Sequence, residues 1–493
     1  MLQAIIKKFN AAYLLSISFL ALWIILSAQL NQAQFGDNLE QFNWAHHAEW
    51  GYWKHPPFTT WLLIGLQSLI GFHELNTYVL SFICLAITLY FYQRLADLFV
   101  SKPLADLSIL LLSASFMFTW RAQMFNHNTS LTMMTAILAW QFFAVTKKSN
   151  ITISDWLCLS ITSAITLLAK YQSIVLFLGL LLAFYLQKKL TKPKIFYGLC
   201  ICLLATFILL LPHLYWISQN TFLIMEYTTD RFEAIDFSIL KRFKNLASFF
   251  IQQIRFFILP LIIFFVYRSY LGRSSLKRLP ISFRGIYQKH HAWLWGLFLL
   301  PLFALLGLSV IGGVKLQNHW GMASFLFLPL ILVLTFPQPQ KANQRFLFTS
   351  YCLFQILSML IFFFMKTHFE VTSFKRADTM YPGSMMAQTI LADWKKETSC
   401  PLKIISGPAF EAGIVSVYSG PYPAVLEEGD FHKTPWLNQD KINTLGMIVL
   451  SNTLNESPKK NMHSFSSHVV AAYPFFKNVH WEIIPPSKQC IYP

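Results

Sequence analysis

The sequence predicts a polytopic α-helical membrane protein carrying a smaller α/β domain at its C-terminus, and three observations predict it. Of the 493 residues, 55% are hydrophobic and 12% charged, about half the charged share of an average soluble domain. Apolar stretches long enough for a hydrocarbon core of about 30 Å recur at 11–30, 76–93, 105–120, 129–146, 153–169, 171–187, 195–217, 246–267, 292–311, 321–336 and 346–365, about eleven in all. After Lys366 the charge density becomes ordinary and Gly/Pro punctuation appears.

The first stretch follows Lys7 and Lys8, as a secretory signal would. It is long and lacks a small-residue cleavage pattern, and removing it would invert the charge alternation, so it is retained as an anchor. Placing successive segments alternately on two sides gathers Lys7, Lys8, Arg94, Lys102, Lys147, Lys148, Lys188, Lys189, Lys192, Lys194, Arg268, Arg273, Lys277, Arg278, Arg284, Lys289, Lys341 and Arg345 on one side, opposed there by only Asp97, Asp106 and Asp155. The net charge of +17 is therefore a positive-inside signal. It is not the footprint of a nucleic-acid partner, and it sets the N-terminus in the cytoplasm. An odd number of spans then puts the tail outside.

Residues 31–75, after the first span, form an external loop far richer than a connector requires. It holds Asp37, Glu40, Glu49, three histidines (His46, His47, His55) and the run Trp50-Gly51-Tyr52-Trp53-Lys54-His55-Pro56-Pro57. Asp37 and Glu40 are three apart and would share a helix face. Asp37 is either a proton acceptor for a hydroxyl or the cap of a short interfacial helix. The aromatic run either anchors at the headgroups with a snorkelling lysine or aims Lys54 at a phosphate, with the prolines fixing the local backbone. A metal site of His46, His47 and His55 matches no standard ligand spacing.

Further along, Arg121, Asn126, His127 and Asn128 cluster at an external turn, and Lys315, Asn318, His319 and Trp320 at another. Lys170 stands at the external end between two closely joined spans. It either snorkels or faces an anionic lipid head in a cavity. Residues 218–245 are a mixed-charge segment able to lie over the first loop. Cysteines 84, 158, 200, 202 and 352 fall inside spans, as small apolar fillers. Cys400 and Cys490 share the external tail, where they are candidates for a disulfide.

The tail, 366–493, is long enough for its own core. Its segment ADTMYPGSMMAQTILADWKKE reads as a helix entered after a Pro-Gly turn, and LKIISG, GMIVLSN, HVVAAYPFF and HWEIIPP as strands. No dinucleotide or phosphate-loop glycine motif occurs in it.

DNLEQFNWAHHAEWGYWKHPPFTTWL resembles the first external loop of the polyprenyl-phosphate-sugar-dependent glycosyltransferases with the GT-C fold. That superfamily includes the protein O-mannosyltransferases and the bacterial enzymes that add aminoarabinose, galactosamine or galacturonic acid to lipid A. The similarity extends over 1–365 as topology, with FNHNTSLT, LLAKYQS and KLQNHWG as weaker matches. The resemblance implies a catalytic acid at Asp37 and a donor-phosphate element at Lys54-His55-Pro56-Pro57, with Lys54 and His55 as rival equivalents. It also matches Lys170 to a Lys-Tyr element of similar bacterial members. Many members carry a second acid before the fourth span, where this chain has Asn126 and Asn128. That departure leaves Glu40 as the candidate partner of Asp37, with Asn126, Asn128 and His319 as supporting residues and the metal question open.

The implied protein is a bacterial inner-membrane glycosyltransferase with a periplasmic site and periplasmic α/β domain. It would move a sugar from a polyprenyl-phosphate carrier to an envelope acceptor, lipid A or lipopolysaccharide, without a certain cofactor. Protein O-glycosylation is the alternative within the class. A flippase of lipid-linked sugars would instead place its ionisable groups near mid-bilayer, and a membrane-anchored binding module would leave the loaded first loop unexplained.

Overall fold

The structure is a computed structural model that describes residues 10–186, 192–233, 238–274, 292–334, 344–369, 378–451, 463–465 and 479–487. Each apolar stretch read from the sequence overlaps a helix. In chain order the helices are α1 (Ala11–Leu30), α2 (Gly36–Trp44), α3 (Phe58–Ile70), α4 (Asn76–Ala96), α5 (Lys102–Ser113), α6 (His127–Thr146), α7 (Ile153–Ala169) and α8 (Ile174–Leu186). They continue with α9 (Pro193–Gln219), α10 (Thr221–Glu233), α11 (Ile239–Ser274), α12 (Ala292–Val310), α13 (Met322–Phe325), α14 (Leu328–Val333) and α15 (Gln344–Phe364). Among the described residues, α1, α4, α6, α9, α11 and the α15 segment are long and apolar enough to cross a membrane, while α7, α8 and α12 are shorter apolar helices. This is a multi-pass membrane protein.

Burial sorts these helices. Every residue from Leu104 to Ser113 in α5 is buried, so α5 is the centre of the bundle. By contrast α9, α11 and α15 expose Leu203, Leu204, Ile254, Leu353 and Leu360, as helices facing hydrocarbon do. Helices α8 and α12 approach closely at Gly179 and Gly296, where a Cβ on Gly179 would lie 3.0 Å from the Gly296 carbonyl oxygen. Two side chains there would force apart helices whose contact depends on small residues.

Two expected spans are shorter than read. The stretch 105–120 leaves the helix after Ser113, and 321–336 is two pieces, α13 and α14, with a proline in the first turn of the second. Both are internal, and an apolar run packed on all sides does not need helical continuity to satisfy its burial. Nor is 31–75 simply a loop, since it contains α2 and α3.

The C-terminal region holds α16 (Gly383–Glu397), α17 (Ala409–Tyr418), α18 (Gln439–Leu445) and strands β1 (Ile404–Gly407), β2 (Ala424–Glu427), β3 (Met447–Ser451), β4 (His463–Phe465) and β5 (Val479–Ile484). The sheet order is β2-β1-β3-β5-β4. Strand β1 runs parallel to β2 and β3, while β5 is antiparallel to β3 and β4. Strands β2 and β4 were not expected. The expected strand 468–476 lies outside the described residues. Cys400 is buried and disulfide-bonded, and its expected partner Cys490 also lies outside the described residues. The five cysteines read as span fillers are free.

The tail does not keep its core to itself. Leu39 and Phe42 of α2, Leu63 of α3 and Phe125 join Trp394, Ile405, Ile414, Val415 and Trp481 in one buried cluster. Helix α17 packs on α2, the Tyr422 hydroxyl donates to the Phe42 carbonyl at 2.7 Å, and Asn43 Nδ2 donates to the Ala409 carbonyl at 3.1 Å. The segment bearing Asp37 is thereby clamped between bundle and tail.

Candidate active site

Gly36 opens α2, which puts Asp37 in its first turn, yet no side chain caps that helix. Of the two readings of Asp37, capping is therefore not the one adopted. Its Oδ2 instead accepts a hydrogen bond from Asn126 Nδ2 at 2.7 Å. Asn126 is itself the N-cap of α6, its Oδ1 accepting from the backbone N–H groups of Asn128 (2.9 Å) and Thr129 (3.1 Å). Capping commits the amide oxygen, so the NH2 group is left for the carboxylate.

The Trp50–Pro57 run folds as a tight turn in which Tyr52 and His55 exchange backbone hydrogen bonds, N to O at 3.0 and 3.1 Å. Trp53 and Lys54 stand at its tip. The base of the turn rests on the end of α9. His213 Nδ1 meets the Trp50 carbonyl at 2.6 Å, and a Cβ on Gly51 would fall 2.4 Å from the Trp216 ring. Only glycine admits that approach. Lys54 pairs with Glu40, which also lies close enough to Asp37 for that carboxylate to add to the upward push of burial on its pKa.

Lys170 ends α7 in an extended conformation and is only 9% exposed. Its ammonium donates to Asn128 Oδ1 at 2.6 Å. It therefore faces inward and does not snorkel.

Asp37, Glu40, Lys54, His55, Asn126, Asn128, Lys170 and His319 all line one cavity of about 580 Å³. Every candidate site residue from the bundle is thus brought together. Leu305, Leu308, Ile174 and Val175 give the cavity an apolar wall. The sequence reading did not single out Tyr171, Gln172, Tyr227 and Gln317, which also line it. Tyr227 of α10 lies edge-on to Trp53 and His55, with ring centroids 5.9 and 6.1 Å away, so this part of the mixed-charge segment does reach the first loop.

Glu427, at the end of β2, is the residue least accessible to sequence reasoning. It is fully buried and accepts from Trp53 Nε1 at 2.8 Å and from Asn43 Nδ2 at 3.4 Å. Lys54 and Lys433 both lie over the Trp53 ring, at 4.3 and 4.5 Å. No motif advertised it, because a glutamate in PAVLEE reads as surface.

Burial governs the ionisation of these groups. It pulls Lys170 down to about 8, with Asp37 opposing the fall. It pushes Glu40 up to about 7, against the pull of Lys54, and raises Glu427, again against Lys54. For Lys54 burial works downward but Glu40 and Glu427 outweigh it, leaving the lysine above its ordinary value. His55 is held well below the usual imidazole range by burial, then by His127, Lys170 and Lys54, so it is neutral at pH 7. Burial also lowers Arg121, opposed by Asp37.

The donor set does not suit a divalent ion. Beside Asp37 stand amides, while Glu40 and Asn128 are each taken by a lysine, and hard cations want several free oxygen ligands. Among the described residues no three His, Cys, Asp or Glu side chains gather as a metal site. His46 stacks on Tyr422 and His47 pairs with Glu49 at 2.9 Å, so the three loop histidines do not converge.

Comparison with known proteins agrees with this geometry. The sequence profile of the family described as dolichyl-phosphate-mannose-protein mannosyltransferase matches residues 54–216, a span containing Lys54, Asn126, Asn128 and Lys170. No curated protein matches the chain by sequence. Among solved structures, the chain is similar to ArnT from Cupriavidus metallidurans bound to undecaprenyl phosphate, at 11% identity and a TM-score of 0.63, over 94% of this chain and 97% of that one. It is also similar to ArnT from the same organism in the apo state, at 13% identity and a TM-score of 0.56, over 96% and 98%. The chain has the GT-C fold.

Proposed function

We propose that this GT-C protein is a polyprenyl-phosphate-sugar-dependent glycosyltransferase of the bacterial inner membrane, working at the periplasmic face on lipid A or lipopolysaccharide. The observation that carries the reading is the single cavity in which the Asp37 carboxylate faces the buried Lys170 ammonium beside an apolar wall. A lipid-linked sugar phosphate needs that combination of cation and hydrocarbon. The family match and the similarity to a structure holding undecaprenyl phosphate support it.

In the reaction an acceptor hydroxyl attacks the anomeric carbon as the bond from that carbon to the phosphate oxygen breaks. The electron pair leaves with the phosphate, and the hydroxyl proton passes to Asp37. Asn126 holds Oδ2 of the carboxylate, leaving Oδ1 for the proton. Attack opposite the leaving group inverts the anomeric configuration. Lys170, and Lys54 once phosphate competes with Glu40 for it, offset the charge that develops on the leaving group. No step uses a metal ion.

Mass spectrometry of lipid A and of envelope proteins, from cells with and without the gene, tests the acceptor. A sugar-sized mass present on lipid A only with the gene is the expected result. The same increment on proteins would overturn the acceptor, and no increment on either would overturn the transfer.

A further inference from the structure

Strand β2 of the C-terminal region is bracketed by the two non-glycine residues with positive φ found among the described residues, Tyr422 (φ 51°) before it and Glu428 (φ 55°) after it. The left-handed region is unfavourable for a side chain bearing a Cβ, and such strain persists where the surroundings over-determine it. Here the surroundings are the first loop. The Tyr422 hydroxyl reaches the Phe42 carbonyl, and Glu427, the last residue of β2, accepts from Trp53 Nε1 at 2.8 Å and from Asn43 Nδ2 at 3.4 Å. Glu428 pairs with Lys433, whose ammonium lies over the Trp53 ring at 4.5 Å.

A carboxylate taken out of water is costly unless its oxygens find donors. Glu427 is 0% exposed, and both oxygens are committed, Oε2 to Trp53 and Oε1 to Asn43. Neither Glu427 nor Trp53 lines the cavity, whereas Lys54 does, with its ammonium 4.3 Å from the Trp53 ring centroid. Any influence of Glu427 on a ligand must therefore pass through the indole to Lys54. An aromatic face attracts an ammonium, and a lysine on a flexible four-carbon stem binds more tightly when part of its ordering is already done.

We propose that Glu427 is a positioning residue for the donor phosphate: by holding the Trp53 indole it seats Lys54 over the ring and so preorganises the ammonium that meets the phosphate. The phosphate clamp is then a joint product of the bundle and the C-terminal region. This inference rests on the reading of the cavity as a polyprenyl-phosphate site with Lys54 on the phosphate. A bond that merely fastened the two regions together would change stability and leave the affinity of the folded protein alone.

The test uses the full-length protein in lipid nanodiscs, with folding checked by melting temperature and equilibrium binding of radiolabelled undecaprenyl phosphate as the readout. The variants are Glu427→Ala, Glu427→Gln, Lys54→Ala and the double variant Glu427→Ala/Lys54→Ala. The glutamine keeps an amide oxygen able to accept from the indole. Trp53→Phe, alone and with Lys54→Ala, removes the donor from the other end of the same hydrogen bond while keeping a ring, and serves if Glu427→Ala does not fold.

Glu427→Ala is expected to bind undecaprenyl phosphate about 10-fold more weakly than wild type, the scale of one charge-assisted hydrogen bond, with Glu427→Gln recovering most of the affinity. With Lys54→Ala already present the same substitution should cost nothing further, as residues acting through one another are non-additive. Wild-type affinity in folded Glu427→Ala or Trp53→Phe would overturn the inference, as would an undiminished loss in the Lys54→Ala background. Failure of wild type to bind undecaprenyl phosphate, or wild-type affinity in Lys54→Ala alone, would instead overturn the phosphate site on which it rests.

Discussion

Lys170 shows how one residue carries both a structural cost and a proposed use. An ammonium buried against Asn128 Oδ1 is disfavoured by desolvation, which pulls it down to about 8, and a lysine kept there at such cost is a functional candidate. The direction of the pH effect follows. Below about 8 the side chain is charged and can hold a phosphate, and as pH rises through that value the charge and the binding are lost. Undecaprenyl phosphate affinity should therefore fall above pH 8 in wild type. In Lys170→Arg, charged at any working pH, that falling limb should vanish, and a limb that persists would remove Lys170 from the phosphate site. The sequence made Lys170 visible because a lone cation between two apolar runs is conspicuous. It could not show whether the lysine snorkels or turns inward, since that depends on Asn128, 42 positions away. Glu427 was hidden for the converse reason: its burial is created by Trp53 and Asn43, from a distant part of the chain.

At the scale of elements, the Trp50–Pro57 turn is held by its footing on α9. Gly51 admits the Trp216 ring where any side chain would collide, and overpacking of this kind costs about 1–3 kcal/mol. Gly51→Ala should lower the melting temperature and activity together. Adding Trp216→Leu, which vacates the space, should restore much of the melting temperature. If the double variant is no more stable than Gly51→Ala alone, the turn is held by something other than this contact. The turn's motif was legible in the sequence, yet its partner was not, because α9 reads only as an apolar span ending in His213 and Trp216. The broken pieces α13 and α14 were illegible for a related reason. Hydropathy reports that a run is buried in something apolar, and cannot separate an unbroken lipid-facing helix from an interrupted run packed inside protein.

For the whole molecule, a polytopic helical membrane architecture followed from the apolar runs, while the GT-C fold was implied only by the resemblance of one loop motif to a known family. What composition suggested as a tail with a core of its own is joined to the bundle by shared burial. Trp394 and Trp481 of the C-terminal region lie in the same cluster as Leu39 and Phe42 beside Asp37. A composition boundary marks where solvent conditions change, not where packing stops, so the chain could look divided at Lys366 while α17 braces α2. On the proposed function, this arrangement would hold a proton acceptor and a phosphate clamp in fixed relation at a membrane surface. The most direct measurement of that relation is single-turnover transfer by purified Asp37→Asn, with undecaprenyl phosphate affinity determined on the same preparation. Affinity should match wild type while transfer falls by about 10²- to 10⁴-fold, the contribution of a positioned general base. Transfer at the wild-type rate would contradict the account.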